Sequence, residues 1–263
     1  MWDRVILASF IALSPAMATA ETVQLYAAGS LRGALADVAK AYEAASGNKV
    51  EAHYGPSGLL KDEILKGAPA GVFASANMEH PRAVQRAGKS GPVVLFARNK
   101  LCALAKPGLA ISGANLLEKL LDPAVKLGTS TPKADPSGDY AFEVFSKAEM
   151  LKPGAQAVLE KKALQLTGAT TSATAPTGFA LYGWHVAEGR ADIFLTYCTN
   201  AQAARMQYAD QQIVALPDDL SVGADYGLTV MTGASPAAQR FANFIASAEG
   251  QKILINHGFA PGT

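Results

Sequence analysis

YAAGSLR, residues 26–32, joins a short strand-like run at residues 22–26 to a helical repeat of apolar side chains. The repeat consists of Leu31, Leu35, Val38, Ala39 and Tyr42. Gly29 and Ser30 therefore lie at a strand-to-helix turn, and Ser30 is placed to cap the helix. A helix N-terminus carries unpaired backbone N–H groups and a partial positive charge, both of which attract anions. The turn is interpreted either as a plain helix cap or as part of an anion-binding site.

Two later strand-like runs end in turns of the same kind, Gly55-Pro56-Ser57-Gly58 and Asp135-Pro136-Ser137-Gly138. Each turn leads into a helical run, so that strands and helices alternate along the chain. This alternation favours a parallel sheet with helices on both faces. Ligands of such sheets bind beyond the carboxyl ends of the strands, where these turns are expected. Ser57 and Ser137 thus repeat the arrangement at Ser30.

The alternation is interrupted at residues 92–105, where two apolar runs flank Arg98-Asn99-Lys100. A long extended segment with a polar middle suits a crossover between two lobes, and residues 226–231 supply the return crossover. The pattern predicts a two-lobed α/β protein, each lobe a mostly parallel sheet flanked by helices, with the crossover strands as hinge. The predicted lobes are residues 21–97 plus 222–263 for lobe I and residues 98–221 for lobe II. Such a chain suits a hinged binding protein whose ligand lies between the lobes.

The N-terminus, residues 1–20, has the pattern of a secretory signal. Arg4 precedes a short apolar core at residues 5–13, and Ala18-Thr19-Ala20 has the small-x-small form of a cleavage site, although Asp3 weakens the pattern. The core is shorter than the roughly 20 residues that span a bilayer. An uncleaved membrane anchor is the alternative. We expect cleavage after Ala20 and a periplasmic protein.

The composition is that of an ordinary globular protein. Hydrophobic residues make up 49%, charged residues 17%, and the net charge is +1. This balance supplies ample material for a core but not the basic excess that is typical of nucleic-acid binding. We therefore expect no nucleic-acid partner.

Cys102 and Cys198 are the only cysteines. In an oxidising compartment they either pair or remain two buried thiols, because pairing requires Cα atoms within ~7 Å. A hydrolase built from Cys198, His185 and Asp192 is an alternative function. However, His185 falls in an apolar helical run, where a packed histidine is expected. The sequence also lacks Gly-x-Ser-x-Gly, His-Glu-x-x-His and a phosphate-binding Lys loop, and its four His residues lack metal-ligand spacing. We therefore expect a binding protein and no enzyme.

Further stretches complete a pattern that covers essentially the whole chain after residue 20. They are Ala27-Ala28-Gly29-Ser30-Leu31, Ser57-Gly58, GAPAGVFASA at residues 67–76, ADPSGDYA at residues 134–141, Gly189-Arg190-Ala191-Asp192 running into Tyr197, and the ending from Phe244-Ile245 to Gly258-Phe259. In this order and spacing the stretches resemble the periplasmic molybdate-binding proteins. These proteins have the type II periplasmic binding-protein fold and serve molybdate ABC importers.

The resemblance implies a tetrahedral oxyanion that is held by hydrogen bonds and not by ion pairs. The implied donors are Ser30 and Ser57 with their N–H groups, the Ser137 N–H, a backbone N–H near Phe179, and the Tyr197 hydroxyl. It implies no direct protein–metal bond and no cofactor. The implied ligand is molybdate, with tungstate indistinguishable from it by residue arguments, and the implied partner is the importer's membrane permease. Sulfate or phosphate is the alternative ligand, and we expect a monomer.

This chain departs from the family pattern at three places. Gly71 stands where the family usually has Asp, which alters either the support behind the first turn or only a surface contact. The second turn has the single Ser57 where consecutive Ser residues are frequent. Arg32 follows the first turn, where it either lends positive potential to the site or is a solvated arginine on a helix face.

Overall fold

The structure, a computed structural model, describes residues 20–262. The predicted signal segment, residues 1–20, therefore lies outside the described residues except for Ala20. No helix between residues 20 and 262 is long and apolar enough to cross a membrane.

Ten strands and ten α-helices alternate along the described chain. The strands are β1 (Thr22–Ala28), β2 (Lys49–Gly55), β3 (Val72–Ser75), β4 (Val94–Ala105), β5 (Leu127–Ser130), β6 (Leu164–Thr167), β7 (Ile193–Tyr197), β8 (Gln212–Ala215), β9 (Gly223–Val230) and β10 (Ala260–Pro261). The helices are α1 (Arg32–Ser46), α2 (Ser57–Leu65), α3 (Glu79–Arg86), α4 (Leu116–Leu121), α5 (Pro136–Leu151), α6 (Ala155–Lys162), α7 (Leu181–Ala187), α8 (Cys198–Arg205), α9 (Pro236–Ala246) and α10 (Ala248–Asn256). Two 3-10 turns, Gly29–Leu31 and Gly113–Asn115, precede α1 and α4.

The strands run in the order β2-β1-β3-β9-β4-β7-β5-β6, and β8 and β10 also pair with β4. Strands β1, β2 and β3 are parallel to one another, as are β5, β6 and β7, whereas the pairs that involve β4 or β9 are antiparallel. The result is a mixed α/β sheet flanked by helices, which is the fold class predicted from the sequence.

Strand β4 is the long extended segment predicted at residues 92–105. Up to Lys100 it pairs with β9, and from Leu101 it pairs with β7. We call β1, β2, β3, β9, β10 and the first half of β4 the first sheet section, and β5 to β8 with the second half of β4 the second sheet section. The lobe boundaries at residues 97/98 and 221/222 stay a prediction.

Helix α1 packs against the first sheet section through the apolar repeat seen in the sequence. Its buried residues are Ala34, Leu35, Val38, Ala39 and Tyr42, and β1 buries Val23, Leu25 and Ala27 on alternating positions. Full burial of one such Leu or Val contributes roughly 1.5–3 kcal/mol. The packing fixes where β1 ends, and so positions the Ser30 turn.

Two details of the predicted helix starts are wrong. Ser30 does not cap α1, because the chain enters a 3-10 turn in which Ser30 is the middle residue and no side chain caps either helix start. Helix α5 begins at Pro136, inside the stretch predicted as a turn, because Asp135 caps it and proline suits the first helical position.

The two cysteines form a disulfide between β4 and α8. Their Cα atoms lie 4.9 Å apart, within the range that pairing requires. Of the two alternatives, pairing is therefore the one realised. The bond lies directly after Tyr197, which is the last residue of β7.

Candidate functional site

Ser30 and Ser57 lie side by side at the carboxyl edge of the first sheet section. Strands β1 and β2 pair in parallel, with Ala28 opposite Gly55. Ser30 follows Ala28 by two residues, and Ser57 follows Gly55 by two residues. Neighbouring strands are about 4.7–4.9 Å apart. The register therefore brings the two turns together, as the sequence predicted.

The Ser57 hydroxyl has a proton that it can donate to a ligand. Its Oγ accepts the Ala76 N–H at 3.1 Å, and the side chain is buried. A hydroxyl oxygen that already accepts keeps its own proton for a further acceptor. Ser30 Oγ lies 3.0 Å from the hydroxyl oxygen of Tyr226, a residue of β9 that was not predicted as part of the site.

Tyr197 supplies a buried hydroxyl from the second sheet section. The residue is 1% exposed, and its Oη has no hydrogen-bond partner within the part of the chain that the structure describes. Its ring centre lies 5.6 Å from that of Tyr226 and 6.2 Å from that of Tyr140. Burial raises the pKa of Tyr197 well above its ordinary value, so the hydroxyl keeps its proton and remains a donor. The structure thus links Ser30, Tyr226 and Tyr197.

Ser137 lies in the first turn of α5, but its N–H is already engaged. It donates to Asp135 Oδ1 at 3.0 Å. The Ser137 hydroxyl is completely buried, and no residue among 20–262 accepts or donates a hydrogen bond to it. A buried polar group left unpaired costs about 1–3 kcal/mol. The group that is free for a ligand is therefore the hydroxyl rather than the predicted N–H.

Asp135 introduces a carboxylate that the predicted site did not contain. Burial raises its pKa to about 6, although hydrogen bonds from the Ser137 N–H and the Ser130 hydroxyl lower it. After burial, its charge is also one of the causes that raise the pKa of Tyr197 and of Tyr182. Asp135 therefore acts electrostatically on the candidate donors.

One backbone contact brings the Ser57 and Ser137 turns together. The Gly58 N–H donates to the Ala134 carbonyl at 2.9 Å, which joins α2 to the loop that precedes α5. A Cβ on Gly58 would overlap the Lys133 carbonyl oxygen and lie 2.7 Å from that of Ala134. Only glycine permits this approach, and through it elements of both sheet sections meet at the candidate site.

Phe179 is not joined to the other predicted donors. Its side chain is 53% exposed, and its N–H donates to the Pro176 carbonyl at 3.1 Å. The ring packs near Tyr208, with ring centres 6.4 Å apart. The Phe179 N–H is taken up by a turn in which Gly178 has a φ of 88°. Apolar periodicity in a sequence cannot predict such a turn. The geometry gives this predicted donor no support.

Hydrogen bonds continue from Tyr226 to Asn99, and from Asn99 to Thr199. Asn99 Nδ2 donates to Thr199 Oγ1 at 2.9 Å and to Tyr226 Oη at 3.3 Å. The signal for Asn99 was present in the sequence as the polar middle of an apolar crossover. Tyr226 and Thr199 left no such signal, because their contacts depend on how distant strands pair.

Two of the departures from the family pattern are now placed. Gly71 precedes β3, at the end of that strand opposite to Ser75, and its N–H donates to the Gln24 carbonyl. It therefore does not support the Ser30 turn. Arg32 is exposed, and its guanidinium lies 4.6 Å from the ring centre of Tyr54. Tyr54 belongs to β2, the strand that leads to Ser57.

A groove of about 470 Å³ lies between α3 and α5, and none of the five predicted site residues lines it. Its charged residues are Glu79, Arg82, Arg86, Asp139, Glu143 and Asp225. Carboxylates outnumber cations, so the groove repels a dianion. The buried hydroxyls are the better candidate for anion binding.

The hydrolase alternative fails on geometry. Cys198 is bound in the disulfide, so it supplies no thiolate. His185 is completely buried against Trp184 and Phe194, and burial lowers its pKa to about 4. Asp192 is held by Lys106 Nζ and the Lys126 N–H, each at 2.8 Å. Across residues 20–262, no group of three or more His, Cys, Asp or Glu side chains is arranged to hold a metal ion.

The family model described as bacterial extracellular solute-binding protein matches residues 23–260. The chain belongs to this family. An uncharacterized protein of Pasteurella multocida is 36% identical to this solute-binding protein. The alignment covers 91% of this chain and 98% of the Pasteurella protein. The molybdate-binding protein ModA of Azotobacter vinelandii is 25% identical, over 98% of this chain and 97% of its own.

A solved structure shows the same fold in a protein that is named for a different anion. The sulfate-binding protein of Mycobacterium tuberculosis superposes with a TM-score of 0.74 at 18% identity, over 92% of this chain and 87% of its own. The family, the ModA relative and the sulfate-binding protein are substrate-binding proteins and not enzymes. The solute-binding protein described here shares that class.

Proposed function

We propose that this solute-binding protein captures molybdate, and equally tungstate, between two lobes and delivers it to the membrane permease of an ABC importer. The observation that carries the proposal is the group of hydroxyls at strand and helix ends, Ser30, Ser57, Ser137 and Tyr197. Ser137 and Tyr197 are buried donors without a partner among the described residues. The likeness to ModA adds support for molybdate.

Neutral donors suit a dianion. Each hydrogen bond to a charged group contributes about 1.5–3 kcal/mol, so several of them offset the cost of removing the anion from water. A buried cation would add its own desolvation cost. The proposed binding needs neither a cofactor nor a direct bond between protein and metal.

The proposal also covers export and domain organisation. Residues 1–20 are a signal peptide that is cleaved after Ala20, and the periplasmic protein is a monomer. Its lobes are residues 21–97 with 222–263 and residues 98–221, which close as a hinge about β4 and β9. Glu21, the proposed first residue, is anchored in the fold, because its N–H donates to Asn48 and its carboxylate pairs with Arg240.

Sulfate or phosphate is the second candidate ligand, and the fold shared with a sulfate-binding protein favours it. Calorimetric titration of the purified protein with molybdate, tungstate, sulfate and inorganic phosphate decides between them. We expect saturable heat with molybdate and tungstate at one site. Saturation with sulfate or phosphate alone would assign the second candidate, and no heat with any of the four anions would refute an oxyanion receptor.

Ser30→Ala is expected to weaken molybdate binding by at least about 1 kcal/mol, or roughly fivefold, because one hydrogen bond to the anion is lost. Calorimetry measures the change. Ser46→Ala is the matched control, because Ser46 lies at the opposite end of α1, where its hydroxyl donates to the Tyr42 carbonyl. Equal affinity of Ser30→Ala and the wild-type protein would remove Ser30 from the site.

Molybdate binding is expected to tighten as the pH falls through the raised pKa of Asp135, about 6. Above it the carboxylate repels the dianion, and below it the neutral acid does not. Folding stability should change in the same sense, because a carboxyl whose pKa is raised in the folded state penalises folding at high pH and ceases to do so as it is protonated.

The test compares molybdate dissociation constants at about pH 5 and about pH 8 in the wild-type protein and in Asp135→Asn. Asparagine still accepts the Ser137 N–H, so it preserves the helix cap. We expect several-fold tighter binding at the lower pH in the wild-type protein and a flat profile in the variant. Parallel profiles would show that Asp135 does not act on the site.

A further inference from the structure

We propose that residues 260–262 form a strap that stiffens strand β4 and confines the bend between the two sheet sections to residues 99–101. We call these residues, β10 and Gly262, the C-terminal strap. The inference rests on the proposed function, because it concerns how the two lobes close on their ligand. It deepens that function by assigning a role in closure to a segment of the chain that follows the last helix.

Strand β4 changes its neighbours where it passes from one sheet section to the other. Cys102–Ala105 pair with β7 on one edge and with β8 on the other. In the part of the chain that the structure describes, Asn99 and Lys100 pair only with β9, and Leu101 pairs only with β7. A strand that is hydrogen-bonded on one edge bends more readily than one bonded on both, because fewer backbone hydrogen bonds oppose the bend.

The strap supplies the second edge just before this stretch. Ala260 pairs with Arg98 and Pro261 pairs with Ala97, while the same two residues of β4 also pair with β9. Ala97 and Arg98 are therefore flanked on both edges. Without the strap, the stretch with one neighbouring strand would run from Val94 to Leu101. With it, that stretch between the sections shrinks to residues 99–101.

The strap also covers an irregular point of β4. The register with β9 shifts between Leu95 and Ala97, which marks a β-bulge at Phe96. A bulge interrupts the ladder and bends its strand. Gln251 of α10 donates to the Phe96 carbonyl at 3.0 Å. Gly262 lies against the backbone beside it, where a Cβ would come within 2.5 Å of the Leu95 carbonyl oxygen. Helix α10 and the strap thus hold the bulge from the side opposite to β9.

Arg98 ties the strap to both crossover strands. Its Nη1 donates to the Pro261 carbonyl at 3.0 Å, and its Nε lies 3.3 Å from Asp225 Oδ1 on β9. Proline has no N–H with which to continue the ladder, so the arginine side chain provides the bond at this position. The three strands β9, β4 and β10 are therefore joined at the residue that directly precedes residues 99–101.

Confining the bend limits the arrangements that the open protein can adopt. The apparent dissociation constant equals the intrinsic one divided by the fraction of molecules that are competent to bind. A bend spread over residues 94–101 would allow more arrangements of the two sections, and fewer of them would bring Tyr197 and Ser137 towards Ser30 and Ser57. Loss of the strap should therefore weaken binding although none of these four residues is changed.

The test uses a chain that ends at Phe259 and so lacks the strap. It keeps Phe259, which is 4% exposed and has its ring centre 5.5 Å from that of Tyr226. Spin labels on Lys66→Cys, directly after α2, and Lys161→Cys, in α6, report the distance between the sections by electron–electron resonance. Without ligand we expect a broader distance distribution than in the labelled full-length protein. With saturating molybdate the two distributions should coincide, and calorimetry should give an approximately fivefold larger dissociation constant.

Arg98→Ala tests the same step in the full-length chain, and Arg240→Ala is its matched control. The two arginines are 44% and 52% exposed, and each forms one ion pair, but Arg240 pairs with Glu21, next to β1. We expect Arg98→Ala to broaden the distribution and to weaken molybdate binding about twofold, since exposed pairs contribute little. Arg240→Ala should do neither. Weaker binding with an unchanged distribution in both the shortened chain and Arg98→Ala would show a packing role and overturn the inference.

The outcomes separate the strap from the proposed function. If the wild-type protein binds none of the oxyanions, the proposed ligand is refuted, and the distributions without ligand still support or refute the strap. If it binds molybdate and neither variant broadens the distribution, the strap alone is refuted. If saturating molybdate leaves the distribution of the wild-type protein unchanged, the lobes do not close, which refutes both the proposed hinge and the strap.

Discussion

Gly58→Ala is expected to weaken molybdate binding by roughly 100-fold, which corresponds to about 2.7 kcal/mol. The added methyl group would overlap the Lys133 carbonyl oxygen and crowd that of Ala134. Both are backbone atoms that no side-chain rotation can move. The two turns would be held apart, and the Gly58 N–H would lose its acceptor. The donors of the second sheet section would then fail to reach an anion held by Ser30 and Ser57.

Calorimetry with molybdate and thermal unfolding together measure this effect. Gly29→Ala is the matched control, because a Cβ at Gly29 meets no atom within 4 Å although the residue is next to Ser30. We expect wild-type affinity for Gly29→Ala, and a lower unfolding temperature for Gly58→Ala than for Gly29→Ala, because only the Gly58 variant loses a backbone hydrogen bond. Wild-type affinity in Gly58→Ala would show that the contact between α2 and the Ala134 loop is not part of the bound state.

Replacement of both cysteines by alanine is expected to lower the free energy of unfolding by roughly 4–5 kcal/mol. The disulfide joins residues that are 96 positions apart, and closing a loop of about 100 residues is worth about 4.7 kcal/mol in the chain-entropy model. Equilibrium unfolding in denaturant, with and without a reductant, measures the loss. Reductant should lower the stability of the wild-type protein but not that of the variant.

The same variant also tests whether the disulfide matters for the site. Cys198 follows Tyr197 directly, so the bond fixes the end of β7 to β4. We expect the folded variant to bind molybdate more weakly than the wild-type protein. An unchanged free energy of unfolding in the variant would contradict the stabilising role.

The fold could be predicted largely because its signals are local. The apolar repeat of α1 and the long apolar run of β4 are read directly from neighbouring residues, and turns with Ser and Gly mark the strand ends. The adjacency of Ser30 and Ser57 followed from one rule, that parallel strands present their carboxyl ends at one edge. The register of β1 and β2 fulfils it.

The rest of the site depended on contacts between distant residues. Asn99 and Tyr226 are 127 positions apart, and Ser30 and Tyr226 are 196 apart, so no local pattern predicts their hydrogen bonds. The disulfide stayed open for the same reason, because it depends on a Cα–Cα distance. At Ser137 a sequence reading could not tell that Asp135 takes the N–H and leaves the hydroxyl free.

The most direct test is the position of molybdenum in crystals grown with molybdate, located by anomalous scattering at its absorption edge. We predict one site at which molybdate oxygens lie about 2.5–3.0 Å from the hydroxyl oxygens of Ser30, Ser57 and Tyr197. Molybdenum bound elsewhere, for example in the groove between α3 and α5, or no bound molybdenum at all, would contradict the proposed function.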